Sequence, residues 1–273
     1  MKDSREIKFE SPDFYHRLRG MLGVDFYRLF HTPLYYIFLC IAAIIPAMIL
    51  GMTTVEGGAP LYTNTWNIVA ADTPLYVFNE IGEYANMNMV FIFGGIMVSI
   101  FIGHDYKSGY VKQLFTTHPK KIDYMLSKTI SCAFSMACMC ITYLLGGVTA
   151  GLLTGADMWV DVPSLIFAIL GKIVMSLGWA SLYTFLNIIF RKYFGISIAS
   201  SFFFGTGILI IGVAAVIGNS SSWILNLFLY GSSVNACLDS SIYTLIVCAL
   251  VSLSWAVIYN ILGARVLSKS DVY

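Results

Sequence analysis

The chain is poor in charge. Asp, Glu, Lys and Arg make up only 11% of its 273 residues, and 16 bases nearly cancel 15 acids. An ordinary soluble domain carries about 25% charged residues, because a water-facing surface cannot be covered with far fewer. The near-zero balance also lacks the basic excess that holds a phosphate backbone. A soluble globular enzyme, a disordered tail and a nucleic-acid binder are all excluded. A phosphate-binding loop of the form Gly-x-x-x-x-Gly-Lys-Ser/Thr is missing as well. Gly171-Lys172 comes nearest, but Ile173 follows it and no glycine stands five positions before Gly171. No secretory leader is expected: the first apolar run opens at residue 34, after a charged stretch and without a clear cleavage site.

What is present is hydrophobic. Apolar residues reach 58%, with 15% aromatic. A helix needs about 20 mostly apolar residues to cross a bilayer. Six stretches qualify: 34–53, 87–103, 129–153, 163–190, 195–217 and 242–264. The runs are continuous rather than alternating, which favours helices over a β-barrel. The expectation is an all-α integral membrane protein with three parts: an N-terminal segment 1–33, a six-span membrane domain 34–264 and a tail 265–273.

Orientation follows from the bases. Fifteen of the 16 fall before the first span, between spans two and three, after span four, or in the tail. The opposite loops hold Glu56, Asp72, Glu80, Glu83, Asp157, Asp161 and Asp239 and no base. Both termini are therefore expected in the cytoplasm, in a multi-pass protein of the cell membrane. Residues 12–31 read as an amphipathic helix on the inner membrane surface. Phe14, Leu18, Met21, Leu22, Phe26 and Leu29 share a face, and Arg17, Arg19 and Arg28 point to lipid headgroups. Asp25 interrupts the apolar side. Pro33 should break this helix before the first span.

Candidate chemistry is sparse. Five of the six cysteines, Cys40, Cys132, Cys138, Cys140 and Cys248, fall in spans, so no disulfide is expected. Cys132, Cys138 and Cys140 lack a histidine or carboxylate at their depth and read as small apolar residues rather than metal ligands. His16, His31, His104 and His118 are dispersed and form no catalytic or metal spacing. No catalytic residue, metal or cofactor is assigned to this chain. Asn187 and Asn260 could bond across helices but are read as packing residues. Lys172 is the one base at membrane depth. Two readings stay open for it: a pathway or outer-gate side chain, near Asp157 or Asp161, or a side chain that snorkels to the outer interface.

The loop between spans two and three is the most specific segment. Gly109 suits a hinge or cap before a short helix, and Pro119 stops it. Leu114 and Phe115 offer an apolar ridge, and Lys112 and Gln113 keep it wet. In spacing, Asp105, Tyr106, Gly109, Val111, Lys112, Leu114, Phe115, Pro119, Lys121 and Lys128 resemble the loop of permease subunits of the ABC-2 type transporter family. Asp105 stands where that pattern usually has Glu, Tyr110 where it has Thr or Ser, and Lys120 where Ser is common.

The resemblance implies a membrane subunit whose 104–121 loop docks on a separate ABC ATP-binding subunit, which would carry ATP and Mg. It places Asp105, Tyr106, Lys107, Gly109, Val111, Lys112, Gln113, Leu114, Phe115 and Pro119 in that coupling. It further implies a second permease chain, identical or related, an interfacial helix before span one and an outer re-entrant segment over 223–239. Export of a hydrophobic or amphipathic peptide, antimicrobial or toxic ones included, is the expectation by family analogy. The alternative is a secondary transporter or channel for a small molecule or ion. It would more readily show several buried ionisable residues or broken helices in related halves. An intramembrane enzyme would need a nucleophile–base pair or metal ligands at depth, and the sequence has neither.

Overall fold

The computed structural model describes residues 13–55, 89–117, 120–154, 162–207, 224, 226–238 and 241–269. Among them every regular element is a helix. In chain order these are α1 (Phe14–His31), α2 (Pro33–Val55), α3 (Met89–Lys107), α4 (Tyr110–Thr117) and α5 (Lys121–Thr154). They continue with α6 (Val162–Ile189), α7 (Phe194–Gly205), α8 (Leu229–Leu238) and α9 (Ile242–Lys269). Glu56, Asp72, Glu80, Glu83, Pro119, Asp157, Asp161 and Asp239 lie outside the described residues.

Among the described residues, four helices are long and apolar enough to cross a membrane: Met89–Lys107, Lys121–Leu153, Ile166–Ile189 and Ile242–Lys269. The bent pair α1–α2 makes a fifth candidate, its two arms set at 66°. The bend falls where the sequence puts it. Thr32 is extended, at φ −94° and ψ 118°, because a residue before proline is pushed out of the helical region. Pro33 then opens α2, at the position where its missing N–H costs nothing. Of the expected span 195–217, the described helix α7 covers only its first part. It ends in a turn at Thr206–Gly207, where Gly207 takes φ +68°. Alone, α7 is too short to cross.

The two central helices are α5 and α6. They pack on each other; α2 and α1 lie against α5, α9 and α8 against α6, and α3 bridges α6 and α7. The core they share includes Phe91, Met97, Tyr143, Trp179 and Tyr183. Trp179 stacks between Phe91 and Tyr183, with both ring separations 5.6 Å. Along α9, Ile246, Leu250, Leu253, Val257 and Ile261 leave an exposed apolar stripe, the surface that lipid covers in a spanning helix. Cys40, Cys132, Cys138, Cys140 and Cys248 carry free thiols.

The asparagines do more than pack: both bond across helices. Asn187 Nδ2 donates to Ser99 Oγ at 3.0 Å and its amide oxygen accepts from Ser197, while Ser99 meets Ser201 at 2.9 Å. Thr129 donates to Asn260 Oδ1 at 3.0 Å.

The α1 expectation needs correction. Met21, Asp25 and Leu29 are its buried residues, whereas Phe14 is exposed. Arg17 and Arg28 do not point to headgroups; they turn inward onto Asp123 and Asp105. Helical periodicity ranks residues by hydrophobicity and is blind to acids that the fold brings from 77 and 106 positions away.

Candidate functional site

The 104–121 loop sits at the end of the bundle where α1, the C-terminal end of α3, the N-terminal end of α5 and the C-terminal ends of α6 and α9 meet. Met21, Val111, Tyr124, Met125, Ile188 and Leu267 form a small apolar cluster there. Lys121 Nζ donates to the Leu267 carbonyl at 2.6 Å, fastening α5 to α9. The described parts of the base-bearing segments 1–33, 104–128 and 265–273 thus share one end of the bundle.

The loop is built by local rules. α3 stops at Ser108–Gly109, where Gly109 takes φ +73°, a left-handed cap that glycine adopts without a Cβ penalty. α4 follows directly, eight residues long. It has two faces. Val111 is buried, and Leu114 and Phe115 are half-buried against the small apolar cluster. Phe115 meets Tyr124 edge-on at 5.5 Å. Lys112, Gln113 and Thr116 are exposed.

Beneath α4 lies a buried charge cluster. Lys128 Nζ stands 2.5 Å from Asp25 Oδ1 and 2.6 Å from Asp105 Oδ2. Arg28 pairs with the other oxygen of Asp105. Ser127 donates to Asp25 Oδ2 at 2.6 Å. The Tyr124 hydroxyl stands 3.5 Å from Asp105 Oδ2. Asp105 and Lys128 side chains are both 0% exposed. Two cations and two carboxylates therefore close on each other, as burial requires: an unpaired charge there would carry its full desolvation penalty. Beside them Arg17 Nε donates to Asp123 Oδ2 at 2.8 Å. The two cations are also flanked by rings. Phe101 lies 4.6 Å from Lys128 Nζ and 5.7 Å from the Arg28 guanidinium, and Tyr110 lies 4.5 Å from that guanidinium. Burial first, and the Asp25 carboxylate after it, push the Tyr110 phenol above its ordinary range, so the ring stays neutral beside them.

The expected coupling residues therefore divide. Lys112 and Gln113 present themselves at the surface. Lys107 is exposed over the Phe194 ring, at 4.2 Å. Val111, Leu114 and Phe115 anchor the loop. Asp105 is no surface contact, since a partner cannot reach it without opening the cluster. The Tyr106 hydroxyl is buried without a hydrogen-bond partner among the described residues.

Sequence reading missed Asp25, Arg28, Arg17, Asp123 and Ser127 as site residues. The available signal was Asp25, a lone acid on the apolar side of α1. Lys172 lies elsewhere, 1% exposed. Its ammonium is 5.4 Å from the Tyr143 ring centroid and 5.9 Å from that of Phe91. It points into the bundle rather than along the lipid surface.

Among the described residues no group of His, Cys, Asp or Glu is arranged to hold a metal ion. What the cluster does chemically is hold: it joins α1, α3 and α5 through mutually satisfied charges. Compared with known proteins, the chain matches no family model and no curated protein.

Proposed function

We propose that the chain is the permease subunit of an ATP-driven ABC exporter in the cell membrane. In this reading it has six spans, an interfacial helix before the first, and both termini in the cytoplasm. A separate ABC ATP-binding subunit carries ATP and Mg and docks on the 104–121 loop. A second permease chain completes the pathway, and the cargo is a hydrophobic or amphipathic peptide.

The observation that supports this most is the form of α4. It is a short helix carried between two long apolar helices, with Lys112, Gln113 and Thr116 outward and Val111, Leu114 and Phe115 keyed into the end of the bundle. A push on such a helix is delivered to the spans, because packed interfaces shift as units rather than deform. A second reading, a secondary transporter or channel, draws support from Lys172, a base buried among the bundle's aromatics, since ionisable residues at membrane depth often mark a transport path.

The test is co-purification with an ATP-binding-cassette subunit encoded beside this chain. Lys112→Glu is the appropriate probe, because it reverses an exposed charge. It is expected to abolish assembly while the chain still elutes as one species. Charge reversal at Asp105 would instead break the buried cluster and report folding. Transport by the chain alone, without nucleotide, would overturn the proposal in favour of the second reading.

A further inference from the structure

Tyr110 opens α4 at a position where the resembled loop pattern carries Thr or Ser. Its ring centroid lies 4.5 Å from the Arg28 guanidinium and 5.8 Å from Lys128 Nζ. Phe101, from α3, flanks the same two cations. The carboxylates of Asp25 and Asp105 take the hydrogen bonds of the cluster. The rings take the faces left over. Arg28 Nη1 is buried without a hydrogen-bond partner among the described residues, so the negative face of a ring counts for more there than at a wet surface. Of the remaining anchors of α4, Val111 and Leu114 pack in the apolar cluster, and Phe115 meets the Tyr124 ring and the Lys121 ammonium, both on α5. Tyr110 is the side chain of α4 that meets a charge on α1 and a charge on α5 at once.

We propose that Tyr110 is the positioning residue that ties α4 to α1 and α5. Its ring holds Arg28 and Lys128, and those cations hold Asp105 and Asp25. A displacement of α4 therefore moves the two cations, and the helices that bear them, together. The mechanical tie stands on the geometry; its use in transport rests on the reading of α4 as the docking helix.

Hydrogen–deuterium exchange of the full chain in lipid nanodiscs tests the tie. Tyr110→Leu keeps bulk without a π-face; Tyr110→Phe keeps the π-face and drops only the hydroxyl. Tyr110→Leu is expected to speed exchange in both α4 and α1 roughly tenfold, and Tyr110→Phe to restore wild-type rates. Arg28→Gln removes a cation from the other side and is expected to speed exchange in α4. Unchanged exchange of α1 in Tyr110→Leu would overturn the proposal. So would a Tyr110→Phe variant as fast as Tyr110→Leu, which would make the hydroxyl the tie. If Tyr110→Leu fails to elute as a single species, Arg28→Gln decides: faster exchange in α4 supports the tie, and unchanged exchange overturns it. Co-purification with the ATP-binding subunit is scored separately. Its failure with α1 and α4 still tied removes the transport reading alone, and the opposite pair of results removes the tie alone.

Discussion

Lys128 and Asp25 stand 103 positions apart in the chain and 2.5 Å apart in the fold, both shut away from solvent. The contact fastens the first helix to the longest one. It is useful because it is closed: Lys128 also takes Asp105, and Asp105 also takes Arg28. A pair of this kind adds little net stability over an apolar pair, yet losing one member is severe. Its worth is in fixing which helix sits on which.

Lys128→Met should destabilise the protein by about 3–5 kcal/mol, since it leaves the Asp25 and Asp105 carboxylates buried with one cation between them. Reversible unfolding in mixed detergent micelles measures this. Adding Asp25→Leu to Lys128→Met should recover part of the loss, because the surviving Arg28–Asp105 pair is balanced. A double variant less stable than Lys128→Met alone would contradict that account.

Asn187→Leu should cost less, about 1 kcal/mol. It removes neutral hydrogen bonds to Ser99 and Ser197, and such bonds between membrane helices average about 0.6 kcal/mol and reach about 1.7. The same unfolding assay should rank it clearly below Lys128→Met. Equal losses would mean that the hydroxyl network carries more than neutral bonding.

Two glycine substitutions should act in opposite directions. A Cβ on Gly146 would collide with the Ala43 backbone of α2, which cannot rotate away, so Gly146→Val should destabilise by about 1–3 kcal/mol. Gly20, on the open side of α1, has nothing within 4 Å of an added Cβ. Gly20→Ala should stabilise by roughly 0.5–1 kcal/mol through helix propensity alone. Thermal unfolding of the purified chain gives both signs, and a destabilised Gly20→Ala would show that this face of α1 is covered.

Much of the layout was legible. Helices α3, α5, α6 and α9 follow the apolar runs, and Pro33 marked the α1–α2 bend. Gly109 marked the turn into α4, and the alternation of Val111 and Leu114 with Lys112 and Gln113 marked its two faces. The site was less legible. Asp105 was read as one of the loop's coupling residues, and it lies at the centre of a buried cluster. Arg17 and Arg28 were read as headgroup-facing, yet they turn inward.

The sequence by itself determined the class of protein and the long helices. An apolar run of some 20 residues must satisfy its backbone internally in a bilayer, and a helix does that within the run. Only the tertiary structure decided which charges meet. Periodicity reports on residues within a turn or two, whereas the free energy of a buried ion pair depends on the separation of side chains from distant helices. Asp25 looked like a flaw in the amphipathic face of α1 until α5 brought Lys128 and Ser127 to it.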